Sequence, residues 1–119
     1  MTTRKSGRSK RIAELNDQLR KEPMNRALGL VLVTAGIQDS GQSFAGKVLA
    51  AIAAMTPEDF KKGNDPYGER DFNSFTVGGR ACLFKIDYLA KGDPHGGSED
   101  PGDPAKTDRV MTVMLASDY

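Results

Sequence analysis

Thiol–imidazole chemistry in this chain rests on one residue of each kind. Cys82 is the only cysteine and His95 the only histidine. As types they make a nucleophile and its base. However, Cys82 alternates with Phe84 and Ile86, a spacing that turns the thiol inward, where cysteine behaves as a small inert hydrophobe. His95 stands among Asp93, Glu99, Asp100 and Asp103, donors suited to a divalent cation. Neither the EF-hand spacing nor a His-Glu-x-x-His pattern is present, and a solvated loop is the plainer reading. No metal site, cofactor or catalytic residue is expected, and an enzyme is the less favoured class.

Asp65, Glu69 and Asp71 crowd one turn-rich stretch, and Asp87 sits on the less apolar face of a strand. General acid–base chemistry needs carboxylates converging in a cleft with split pKa values. Spacing alone does not show convergence, and surface turns explain these residues equally well. Gly78-Gly79 is a turn signal, and no Walker or dinucleotide pattern occurs.

The most suggestive charged feature is basic. Arg4, Lys5, Arg8, Lys10 and Arg11 open the chain and have the chemistry to neutralise phosphates with salt-sensitive, sequence-blind affinity. A solubilising tail is the plainer alternative. Residues 1–26 hold eight bases and three acids, whereas residues 64–119 hold six bases and ten acids. The net charge of +1 therefore hides a polarised molecule, suited to steering a charged partner. Phe72, Phe75, Phe84 and Tyr88 follow strand patterning and are expected in the core rather than on a base-stacking platform.

These residues need a scaffold, and 119 residues suffice for one domain with its own core. A flexible basic arm is expected over residues 1–9 and one α+β domain over residues 10–119. A single cysteine permits no intrachain disulfide and favours a reducing compartment. The basic start lacks the apolar segment of a signal peptide, and no run approaches a membrane span. Cytoplasmic localisation without membrane association follows as the expectation.

A helix is expected from about Ser9, with Ile12, Leu15 and Leu19 on one stripe, ended by Pro23. Residues 28–34 are apolar on both parities and read as a strand covered on both faces or central in a sheet. A polar loop over residues 36–42 leads to an Ala-rich helix carrying Phe44, Val48, Ile52 and Met55, and Thr56-Pro57-Glu58-Asp59 starts a short helix ending at Gly63. Phe75-Thr76-Val77, Gly78-Gly79 and residues 80–88 read as a hairpin. Gly92, Pro94, Gly96, Gly97, Pro101, Gly102 and Pro104 mark residues 89–108 as a long loop, and residues 110–116 form the last strand. The fold class is an α+β two-layer sandwich. Its mostly antiparallel sheet of about four strands is backed by helices in the order α-β-α-β-β-β.

Several strings carry a resemblance: Asn64-Asp65-Pro66-Tyr67-Gly68-Glu69, Asp71-Phe72, Lys85-Ile86-Asp87-Tyr88, Ser98-Glu99-Asp100-Pro101, Asp103-Pro104-Ala105, Arg109-Val110 and Met114-Leu115-Ala116. Over residues 12–119 the chain resembles a family of small uncharacterised proteobacterial proteins, a domain of unknown function often encoded on plasmids and prophages. The resemblance implies no activity and no site residues. It does imply a mobile-element setting, in which small proteins without catalytic motifs often act by binding. The leading expectation is a non-catalytic protein-binding accessory factor, one form of which is an inhibitor of a host defence system of anti-CRISPR or anti-restriction type. Its contacts would be Asp65, Tyr67, Glu69, Asp71, Asp87, Glu99, Asp100 and Asp103. The first alternative is a nucleic-acid-binding module using the basic arm and first helix. The second is a small metal-assisted enzyme built on Asp65, Glu69, Asp71 and His95.

Overall fold

The computed structural model describes residues 3–61 and 65–119, with side chains from residue 7 onward. The first element is a long helix, α1 (Thr3–Lys21). Ile12, Leu15 and Leu19 are all buried on its inner face, the stripe that the i, i+3, i+7 spacing demands. The helix begins before Ser9, which therefore does not cap it, and it stops where Pro23 withholds an N–H. Arg4 and Lys5 fall on α1, but their side chains lie outside the described residues.

Next come β1 (Leu30–Val33), α2 (Ala35–Asp39), α3 (Gln42–Ala53) and α4 (Pro57–Phe60). The segment expected as a polar loop contains α2, whose Ile37 is fully buried and anchors it to the core. At α4 the Asp59 carboxylate accepts the Thr56 backbone N–H at 2.7 Å, the reciprocal cap that an acid at the third helical position provides. The helix ends at Phe60; Gly63 and Asn64 lie outside the described residues.

The second half is sheet: β2 (Phe72–Val77), β3 (Arg80–Ala90), β4 (Asp93–Gly97) and β5 (Thr107–Leu115). Gly78 and Gly79 join β2 to β3 with φ of 57° and 78°, the doubly left-handed turn that matches strand twist and that glycine adopts without strain. The strand order is β1-β5-β3-β2, with β4 on β3. β3 runs antiparallel to β2, β4 and β5, and β1 runs parallel to β5. The fold is therefore α+β, with an open, mostly antiparallel sheet of five strands. The expected loop at residues 89–108 holds β4 and the start of β5. The first strand is neither central nor doubly covered. It lies at the sheet edge, and Leu32 is 48% exposed.

Alternation divides β3 and β5 between two faces. Cys82, Phe84 and Ile86 of β3 and Met111, Val113 and Leu115 of β5 join Leu19, Ile37, Val48, Ile52 and Phe60 of the helices in one core. Phe60 meets Phe84 edge to face, with centroids 6.1 Å apart. Truncating such a buried ring to alanine costs about 3–5 kcal/mol. Among the described residues no helix is long and apolar enough to cross a membrane.

Candidate functional site: a buried polar network and a basic groove

Two of the buried polar residues face each other across the seam between helix and sheet. Asn16 falls on the inner stripe of α1, and Arg109 falls on the inward parity of β5; they are 0% and 4% exposed. Each meets the need of the other. Arg109 Nε donates to Asn16 Oδ1 at 2.7 Å. Asn16 Nδ2 donates to the Glu69 carbonyl at 3.0 Å and to the Tyr88 hydroxyl oxygen at 2.9 Å. The Tyr88 hydroxyl donates in turn to Glu69 Oε1 at 2.9 Å. Arg109 Nη2 reaches the Pro101 carbonyl at 2.6 Å, and its guanidinium lies 5.1 Å from the Tyr88 ring centroid. The network ties α1 to β3, β5 and both flanking turns.

A second cluster begins at the next residue of α1. Asp17 receives both Arg70 Nε (2.9 Å) and Arg70 Nη2 (2.6 Å) and also pairs with Arg20. Burial works against the Asp17 charge, but the two guanidiniums prevail and hold its carboxyl below the usual range. Arg20 is 1% exposed and lies 4.9 Å from the Phe60 ring centroid. Its Nε and Nη1 have no partner among the described residues.

The acidic candidates divide into two groups. Asp65 shapes its own turn by accepting the N–H groups of Glu69 and Arg70. Its charge, with those of Glu69 and Asp87, reaches Asp71, whose carboxyl is raised by burial first and by those neighbours next. Asp87 lies 3.3 Å from Lys85, and Tyr67 projects from this group, 66% exposed. Glu99, Asp100 and Asp103 form the second group, on the turn between β4 and β5. There Glu99 pairs with Lys106 at 3.5 Å, the Asp100 carbonyl accepts the Thr107 hydroxyl, and Asp103 accepts the Ala105 N–H. Asn16 and Arg109 stand between the groups.

Nothing brings the thiol to the imidazole. Cys82 is fully buried near the hairpin end of β3, whereas β4, which carries His95, pairs at Leu89 and Ala90, about 23 Å further along by strand rise. Burial raises the Cys82 thiol above its ordinary pKa, opposite to what a nucleophile needs. Among the described residues no three metal-ligating side chains are grouped to hold an ion.

The concave feature beside the network is a groove of about 630 Å3, within the range of ligand-sized clefts. Leu15 of α1, Leu28 and Leu30 before and at the start of β1, and Leu89 and Val110 of the sheet give it aliphatic walls, with the Gln18 amide among them. Arg11, Arg26, Lys91 and Arg109 also line it, with Asp108 as the one acid of the lining among the described residues. Asp108 is already committed to the Gly92 N–H at 2.9 Å and to Lys91 at 3.3 Å. Arg11 reaches the groove by lying over Gly102, where a side chain would press on its Cγ. Of the other basic candidates, Arg8 donates to the Glu99 carbonyl at 3.3 Å, and Lys10 is exposed.

Asn16, Arg26, Lys91 and Arg109 were not among the candidates read from the sequence. The signal for Asn16 and Arg109 was their place on apolar parities. Arg26 and Lys91 carry no local signal, because the groove is assembled from segments far apart in the chain.

No curated protein and no solved structure matches the chain. A family model does. It covers residues 33–118, and so takes in the sheet wall of the groove, with Lys91, Asp108 and Arg109, but not α1 or the Arg26 segment. That family is described as a protein of unknown function, DUF3768, and the chain belongs to it.

Proposed function

We propose that the protein is a non-catalytic binding factor for single-stranded nucleic acid, which it holds in the groove beside α1. One observation carries the reading: four cations line a ligand-sized cleft whose one acid is already engaged. Arg8 and Lys10 extend the basic character along α1 beyond the groove. A cleft of about 630 Å3 takes one nucleotide-sized unit and has no room for a duplex. Its walls are aliphatic, so affinity comes from phosphate contacts and is sequence-blind. The reading assumes a cytoplasmic protein.

The test is fluorescence anisotropy with labelled single-stranded and duplex oligonucleotides over a salt series. With about one to three phosphates neutralised by the groove and by Arg8 and Lys10 along α1, the logarithm of the single-strand association constant falls against that of salt with a slope of about −0.7 to −2. Absence of single-strand binding at low salt, or salt-independent binding, refutes the reading.

A second reading is a protein-binding accessory factor of mobile genetic elements that inhibits a host defence complex. It is favoured by the exposed Tyr67 beside Asp65, Glu69, Asp71 and Asp87, of which Asp71 feels the charges of the other three, an acidic surface able to occupy a nucleic-acid site. A Tyr67→Ala, Asp87→Lys variant would then lose a host protein that the native chain retains in a pull-down. No such loss, or no retained protein, removes this reading.

A further inference from the structure

We infer that the groove recognises the terminal phosphate monoester of a nucleic-acid strand, held by Arg109 together with Arg11 and Arg26. This rests on the nucleic-acid reading above and specifies its ligand.

Arg109 is the anchor. A guanidinium that is 4% exposed is normally matched by a carboxylate, because a buried charge without a counter-charge is costly. Arg109 forms no salt bridge among the described residues. Its partners are neutral oxygens, the Asn16 amide and the Pro101 carbonyl. Burial lowers its pKa and the charge of Arg11 adds to that, while Tyr88 and Glu69 offset only part. The two neutral partners fix the plane of the guanidinium without cancelling its charge. Nη1 makes no hydrogen bond among the described residues, so its donor pair is uncommitted, and Arg109 is one of the residues that line the groove. Such a preorganised group suits anion recognition, because it needs no reordering on binding.

The charge of the anion follows from its surroundings. Arg11 and Arg26 also line the groove and make no ion pair among the described residues, whereas Lys91 is held by Asp108. Three guanidiniums then act on one anion. A phosphate monoester carries about −1.5 to −2 at neutral pH and offers three terminal oxygens, and guanidinium forks match phosphate geometry. A diester or a carboxylate brings a single negative charge and leaves the cations under-compensated. Leu15, Leu28 and Leu89 take the apolar flank of the terminal nucleotide.

The experiment uses the full chain and one labelled oligonucleotide sequence in three forms: 5′-phosphorylated, 3′-phosphorylated and without a terminal phosphate. One phosphorylated form is expected to bind at least about tenfold tighter than the unphosphorylated strand. That preference is expected to shrink between pH 7.5 and pH 5 as the monoester dianion takes up a proton and becomes the monoanion. Arg11→Ala and Arg26→Ala, both exposed positions, should bring the phosphorylated strand close to the unphosphorylated one. Arg109→Lys should do the same, with circular dichroism to confirm folding. Equal binding of the three strands overturns the terminal-phosphate inference and leaves the nucleic-acid reading standing. No binding of any strand removes both, even if free inorganic phosphate or a mononucleotide binds.

Discussion

Replacing Asn16 by alanine tests the polar network most directly. The side chain is fully buried and serves three partners: Arg109 Nε, the Tyr88 hydroxyl and the Glu69 carbonyl. The bond to the charged guanidinium is worth about 1.5–3 kcal/mol and each neutral bond about 0.5–1.5 kcal/mol. The orphaned partners cannot all turn to water, because Arg109 is itself buried, so the loss should reach at least the middle of the summed range, about 4 kcal/mol. A chain of this length has about 6–18 kcal/mol of stability in all. Urea unfolding followed by circular dichroism would show a lowered midpoint with an unchanged slope, and Gln18→Ala, an exposed neighbour on α1, serves as the control. A loss below about 1 kcal/mol would mean that the network is not the clasp between helix and sheet, since even one lost bond of ordinary strength accounts for that much.

Other perturbations follow the same reasoning. Asp17 has a folded pKa below its unfolded value, so its stabilisation is fully present above about pH 4 and is lost as the pH falls through the folded pKa. Asp17→Asn should destabilise by about 3 kcal/mol at pH 7, because it strips a buried arginine of its charge partner, and should flatten the acid limb of stability against pH. Asp71 has the opposite sign. Its folded pKa is raised, so stability increases as the pH falls through that value, and Asp71→Asn should raise the urea midpoint at pH 7 with a gain that disappears below about pH 4. Gly29 approaches the Arg109 carbonyl so closely that an added Cβ would lie 2.7 Å from that oxygen and 3.0 Å from Leu19 Cδ2. Gly29→Ala should cost about 1–3 kcal/mol by overpacking, read as a lowered thermal midpoint.

The parts of the fold legible in the sequence were those whose signal is local. The Gly78-Gly79 turn and the alternation of Cys82, Phe84 and Ile86 specified the central hairpin and its buried face. Ile12, Leu15 and Leu19 specified the inner face of α1. β4 was hidden because Asp93-Pro94-His95-Gly96-Gly97 consists of residues disfavoured or neutral in strands; it pairs with β3 at only Leu89 and Ala90, with a bulge between them, where an edge position tolerates Pro94. β1 was misplaced because aliphatic residues on both parities mean burial on both faces only when the strand is central. Here β5 takes that place, and Leu32 is left facing water. The candidate site was least legible. Asn16 and Arg109 are 93 residues apart, and no local pattern announces a contact of that span.

The pairing of β1 with β5 also governs when the molecule can be completed. The first strand hydrogen-bonds to the last, Leu30 opposite Val110 through Val33 opposite Val113, and α1 is clasped by a residue of that same final strand. During synthesis neither has its partner until β5 has left the ribosome. Until then Leu-Val-Leu-Val is an unshielded aliphatic segment, the kind that self-associates. The decisive folding step therefore waits for β5, and it is slow because the contact closing the sheet joins strands far apart in sequence. A nascent chain stalled before β5 would be a substrate for chaperones and proteases.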